Sequence, residues 1–253
     1  MLEIADPVPR LTKREKRILR QQGASSLQAA PAFNIKRIKP MTDNQQRVFD
    51  AFHDDKHLFL HGTAGTGKTF IAFYLALNNL HNQQSNQNKV YVVRSVVPTR
   101  DMGFLPGSHK DKMKVYESPY YAISTELYDR GDAYEILKQK NIVEFVSTSF
   151  IRGITLSDCI VIVDECQNMS DMELHSIITR AGENCKFIFC GDFRQDDLSS
   201  ERYKEETGVK KFMKIIERMP SFYFVDFQPE DIVRSSLVKE YIITREKLGI
   251  DVI

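Results

Sequence analysis

No stretch of the chain approaches the ~20 consecutive apolar residues that a bilayer-crossing helix needs, so a membrane protein is not expected. Cysteine is scarce. The four present, Cys159, Cys166, Cys185 and Cys190, include no CxxC pair of the zinc type. They lie in or beside apolar runs, which reads as small buried hydrophobes in a reducing compartment, and the expected location is cytoplasmic. The opening residues MLEIADPVPR lack a basic segment followed by an apolar core, so no secretory leader is expected. Internal repeats are absent, as is an N-K-x-D run after the glycine-rich loop described below, which argues against a guanine-specific GTPase. Beyond the site proposed below, no carboxylate cluster suggests a nuclease.

What remains is ordinary in bulk and uneven in distribution. With 253 residues, 42% apolar and 27% charged, the chain suits one α/β domain with a substantial core and short extensions. Nine basic residues (Arg10, Lys13, Arg14, Lys16, Arg17, Arg20, Lys36, Arg37 and Lys39) face a single Glu15 within residues 10–39, although the net charge is only +1. Residues 1–40 are therefore expected to form a basic, flexible extension, with a possible helix over 11–22, and residues 41–253 a single domain.

From residue 42 the pattern alternates between strand and helix. Thr42 can cap a helix running to about Phe52, and Lys68–Leu80 reads as an apolar helix. Strands are read at Lys56–Leu60, Val90–Arg94, Ile142–Ser147, Cys159–Val163, Phe187–Cys190 and Phe222–Phe227, each short and apolar at nearly every position. Such runs suit a mainly parallel sheet covered on both faces, hence a doubly wound α/β fold. Helices are read between them at about Val115–Gln139, Asp171–Arg180 and Val209–Arg218. HNQQSNQNK at 81–89 reads as an exposed loop, and Asp101–Ser118, with Gly103, Pro106 and Gly107, as a long irregular connection of functional or mobile kind.

The chemistry is concentrated at strand ends. Gly62-Thr63-Ala64-Gly65-Thr66-Gly67-Lys68-Thr69 matches G-x-x-x-x-G-K-[ST] at every fixed position, between an apolar strand and an apolar helix. Glycine-permitted turns point successive main-chain N–H groups at an anion, and the helix adds the positive end of its dipole. Lys68 can neutralise β/γ-phosphate charge, and the Thr69 hydroxyl can ligate Mg²⁺. Ile160-Val161-Ile162-Val163 ends in Asp164 and Glu165. Asp164 is the expected second anchor for Mg²⁺, and Glu165 the expected general base on the attacking water. That base favours ATP hydrolysis over phosphoryl transfer to a small molecule.

Two amides and four arginines complete the candidates. Gln195, after the run Phe187–Cys190 and Gly191-Asp192, can report a γ-phosphate because an amide both donates and accepts. Gln45 can use the same chemistry on the adenine edge. Arg94, Arg152, Arg194 and Arg234 are all candidates for the cation that stabilises developing charge.

With its motifs in order, the sequence resembles the PhoH-like ATPases, which are related to the core of superfamily 1 helicases. The resemblance spans about Met41 to Glu240 and is carried by TDNQ (42–45), GTAGTGKT (62–69), GFLPG (103–107), FIRGITL (150–156), VDECQN (163–168), GDFRQDDL (191–198) and DIVR (231–234). It departs from the usual pattern at Ser95, Cys166 and Ser235-Ser236. The resemblance implies a RecA-like P-loop core, with Gln45 on adenine and Gln195 sensing the γ-phosphate. It makes Arg234 the leading finger arginine, ahead of Arg152 and Arg94. It further implies RNA or single-stranded DNA as partner, touched by residues 101–119 and Thr148–Arg152, with the basic extension as a further contact. Because one domain replaces a helicase's two, it suggests a homo-oligomer, such as a hexameric ring, in which a neighbour's arginine completes each site. The alternative from another class is an ATP-dependent regulatory switch that binds a protein and moves no nucleic acid.

Overall fold

The computed structural model describes residues 33–81, 85–95, 109–192 and 208–248. The described residues from Ile35 onward form one compact unit. In chain order its elements are α1 (Asp43–His53), β1 (His57–Gly62), α2 (Lys68–His81), β2 (Lys89–Arg94), α3 (His109–Tyr128), α4 (Ala133–Gln139), β3 (Val143–Ser147), β4 (Cys159–Val163), α5 (Asp171–Ile178), β5 (Lys186–Cys190), α6 (Gly208–Ile216), β6 (Phe222–Phe227) and α7 (Ser236–Lys247).

The six strands form one parallel sheet in the order β3-β2-β4-β5-β1-β6. Position in that order explains the burial of each strand. β4 and β5, with neighbours on both edges and helices on both faces, are buried at every residue, whereas the edge strand β6 exposes Tyr223. Successive side chains point to opposite faces. Val161, Val163, Phe187, Phe189 and Phe59 pack with Leu174 and Ile177 of α5 and with Phe212 and Ile216 of α6. On the other side α2, buried from Ile71 to Leu77, packs on β2, β4 and β5. This is the doubly wound α/β architecture expected from the alternating pattern.

Helix starts follow local chemistry. The Thr42 hydroxyl accepts from Gln45 N–H and caps α1, and Ser170 with Glu173 forms a reciprocal capping box on α5. The helix expected over Val115–Gln139 is in fact two. α3 starts earlier, at His109, inside the segment read as irregular, and runs through Pro119 to Tyr128. The chain then turns at Asp129, whose φ of 58° is left-handed, and Arg130 grips Asp132 through Nε and Nη2 at 2.6 and 2.8 Å before α4 begins. The Asp-Arg-Gly-Asp turn chemistry outweighed the helical period. All four cysteines are free thiols, and Cys159, Cys166 and Cys190 are buried. No helix among the described residues is long and apolar enough to cross a membrane.

Candidate active site

The carboxyl ends of β1, β4 and β5 meet at one edge of the sheet, where open α/β folds bind ligands. β1 ends at Gly62, where φ is +106° and a Cβ would lie 2.1 Å from the Phe227 carbonyl oxygen of β6. Only glycine allows the strand to leave the sheet there and start the loop. The loop turns through Gly65 and Gly67, at φ +79° and +83°, into the start of α2 at Lys68. A cleft of ≈ 730 Å³ opens over it, and its lining includes Gln45, Lys68, Thr69, Asp164, Glu165 and Arg234. Ala64, Gly65, Thr66 and Gly67 line it too, whereas Thr63 does not, and its N–H donates to Phe227 O at 2.9 Å.

Lys68 is half-buried, and its Nζ donates to the Gly62 and Thr63 carbonyls, both at 2.8 Å. Burial pulls its pKa below the ordinary value, while the nearby Asp192, Glu165 and Asp164 charges oppose that shift. The ammonium thus rests on loop carbonyls, with these three carboxylates lining the same cleft.

The two halves of the sequence motif meet directly. Thr69 Oγ1 donates to Asp164 Oδ1 at 2.7 Å. Asp164 is 3% exposed, and its N–H is fixed on Val93 O across the β2–β4 pair. A hydroxyl beside a carboxylate, opening on a cleft that can admit phosphate oxygens, is an all-oxygen set of the kind Mg²⁺ takes. The donors fit that ion. Among the described residues no group of three His, Cys, Asp or Glu side chains offers an alternative metal cage.

Glu165 has left-handed backbone (φ 51°), an uncommon conformation for a non-glycine residue that turns the chain sharply off the strand end. Its Oε2 accepts from Gln167 Nε2 at 2.7 Å, and Arg94 Nη2 lies 3.8 Å from its Oε1. Gln167 in turn accepts the Asp192 N–H at 3.2 Å, tying the acidic box to the end of β5. Sequence reasoning gave Gln167 no role, although it lay inside the VDECQN run. Gln45 is 3% exposed. Its Nε2 donates to Thr66 O at 3.0 Å and its Oε1 accepts from Met41 N–H at 2.7 Å. The amide therefore braces the phosphate loop and the chain entering α1, keeping one N–H and one lone pair for a base.

Of the arginines, Arg94 and Arg234 line the cleft and Arg152 does not. The Arg234 stem crosses its own chain's loop, with Cγ 3.1 Å from where a Gly65 Cβ would sit. Arg194 and Gln195 lie outside the described residues, as do the possible helix over 11–22 and residues 101–108.

One further residue was missed. Tyr120 of α3 is fully buried and donates to Asp164 Oδ2 at 2.5 Å. Burial, and then the Asp164 charge, push its phenol pKa well above the ordinary value, so it stays a donor. No motif marks it; a tyrosine inside an amphipathic helix reads as core.

A phosphate loop closing β1, an acidic pair closing β4 and an intervening strand β5 make this a P-loop nucleoside-triphosphatase domain. Comparison narrows the class. The sequence model of the PhoH family, described as PhoH-like protein, matches residues 37–245, and the chain belongs to that family. It is 32% identical over 210 residues to a PhoH-like protein of Mycobacterium leprae, a match covering 82% of this chain and 58% of that one. To a PhoH-like protein of Bacillus subtilis it is 30% identical over 213 residues, covering 84% and 65%. The chain thus spans less than two thirds of the curated relatives it matches. Among solved structures, the large terminase of the thermophilic bacteriophage D6E shares the fold, at a TM-score of 0.51 and 12% identity, covering 85% of this chain and 52% of that one.

Proposed function

We propose that the domain hydrolyses ATP in a Mg²⁺-dependent reaction. The observation that carries this reading is the 2.7 Å contact between Thr69 and Asp164, which joins loop and acidic strand end beside Lys68 in one cleft. Main-chain N–H groups of residues 64–69, at the start of α2, hold the triphosphate oxygens, and Lys68 turns from its carbonyl partners toward the β/γ-phosphates. Thr69 and Asp164 would hold Mg²⁺, which would neutralise phosphate charge there. Glu165, oriented by Gln167, accepts the proton of a water as its oxygen bonds to the γ-phosphorus and the bridging P–O bond breaks. Arg234, whose stem lies over Gly65 in the cleft lining, would meet the charge that develops. Gln45 offers its remaining donor and acceptor to adenine, and Gln195 keeps the sensor role that the resemblance implies.

The reading extends to RNA or single-stranded DNA as the partner, at Thr148–Arg152 and the basic extension, and to a homo-oligomer. Support for the second comes from α7, which has no buried residue and leaves Leu237 and Tyr241 74% and 60% exposed just after Arg234. Phosphate release measured with and without RNA and single-stranded DNA tests the whole. Glu165→Gln is expected to bind ATP normally and turn it over at least ~100-fold more slowly. Unchanged turnover in that variant would overturn the hydrolytic reading. Absence of nucleic-acid stimulation would favour the protein-binding switch, and a purely monomeric, fully active protein would remove the oligomer.

A further inference from the structure

Both oxygens of the Asp164 carboxylate are held by hydroxyl donors from different helices. Oδ1 accepts from Thr69 of α2, and Oδ2 accepts from Tyr120 of α3. A threonine that ligates a cation through a lone pair can still donate its proton to the aspartate, so Thr69 can serve both partners at once. Tyr120 has no such second task. Its ring is fixed on three sides: Phe73 of α2 at 5.5 Å, Phe145 of β3 at 6.0 Å and Tyr134 of α4 at 6.4 Å. Those contacts leave the hydroxyl with the direction of Oδ2 and little freedom to leave it.

We propose that Tyr120 is a positioning residue that locks the Asp164 carboxylate in the orientation required to hold Mg²⁺ with Thr69. The inference rests on the magnesium–nucleotide reading of the cleft. A carboxylate held at one oxygen only can rotate about its Cβ–Cγ bond. A carboxylate held at both presents fixed remaining lone pairs to the cation position. Outer-shell donors of this kind typically set metal affinity by 10–100-fold. Tyr120 also belongs to the helix that follows residues 101–108.

The test reads cation affinity instead of turnover. Binding of a fluorescent ATP analogue is titrated with MgCl₂ from EDTA upward. Tyr120→Phe keeps the ring and removes only the donor. It is expected to raise half-saturating Mg²⁺ about 10-fold while leaving the affinity measured in EDTA unchanged. Tyr134→Phe is the matched control. It removes a buried hydroxyl that has no hydrogen-bond partner from the same aromatic stack, and its Mg²⁺ curve is expected to superimpose on wild type. Asp164→Asn separates the layers of the inference. A shifted Mg²⁺ curve in Asp164→Asn together with an unshifted one in Tyr120→Phe refutes the role of Tyr120 alone. An unshifted curve in Asp164→Asn refutes the magnesium reading and the role of Tyr120 with it. Equal shifts in Tyr120→Phe and Tyr134→Phe would mean that general packing of the stack matters and the hydroxyl does not.

Discussion

Three glycines of the phosphate loop have positive φ, but alanine at each meets a different neighbour. At Gly62 a Cβ would stand 2.1 Å from Phe227 O, 2.7 Å from Phe227 N and 2.9 Å from an Asp226 carboxylate oxygen. Two of those atoms belong to the β6 backbone, which is hydrogen-bonded along β1 and cannot move alone. A strained φ costs about 1–3 kcal/mol and overpacking against rigid structure about 1–3 more. Gly62→Ala should therefore lose about 2–6 kcal/mol, a large share of the roughly 5–15 kcal/mol that holds a domain folded. At roughly 2–4 °C per kcal/mol for a chain of this size, Tm should fall by about 5–20 °C. Gly65→Ala meets the Arg234 side chain at 3.1 Å, whose flexible stem can swing aside, and Gly67→Ala meets Gln45 Nε2 at 3.5 Å. Both should lose only the backbone term, about 1–3 kcal/mol. Thermal melts followed by far-UV circular dichroism at one protein concentration give the ranking. A Gly62→Ala protein melting within about 2 °C of wild type, or above Gly65→Ala, would refute the reasoning.

Other outcomes follow from single contacts. Lys68→Ala should raise the ATP dissociation constant at least ~10-fold, with Tm within roughly 8 °C of wild type, because the two lost hydrogen bonds are partly exposed and worth about 1 kcal/mol or less each; isothermal titration at normal affinity would contradict this. Gln45→Ala strands the buried Thr66 carbonyl, at about 1–3 kcal/mol, so Tm should drop roughly 2–12 °C, and an unchanged melt would show that the brace is dispensable. His57 Nδ1 accepts the Phe187 N–H at 3.2 Å and must stay unprotonated; burial, then the Lys186 charge, hold its pKa below the ordinary 6.5. The unfolded chain binds the proton first, so this contribution is complete above about pH 6.5 and lost as pH falls through the lower folded value. His57→Asn, which keeps an acceptor near Nδ1, should flatten the decline of Tm below pH 6.5. An identical decline would clear His57, leaving His61 and His81, also depressed by burial, as its source.

The fold was largely legible because central parallel strands have to be apolar at nearly every position. Cys159–Val163 is buried throughout and was bounded correctly from the residues alone. The strand–loop–helix around Lys68 was found in the right order, although the strand runs His57–Gly62 instead of Lys56–Leu60 and the helix ends at His81 instead of Leu80. Where no periodic burial exists, sequence reasoning had nothing to read. α7 has no buried residue and was missed, and α3 begins among glycines and prolines that read as loop. The Tyr120 contact to Asp164 joins residues 44 apart through a side chain with no motif. Gln167 was quoted as part of a pattern, yet its two partners, Glu165 and Asp192, come together only after β4 and β5 pair.

The interposed strand β5 has a consequence for selectivity. Each strand adds one lateral spacing of about 4.8 Å, so the ends of β1 and β4 stand about 10 Å apart, with rows of main-chain hydrogen bonds between them. That width is a gauge built from backbone, which no single substitution can reset. The reach from the phosphate loop to the acidic pair is decided by the order in which the strands were laid down.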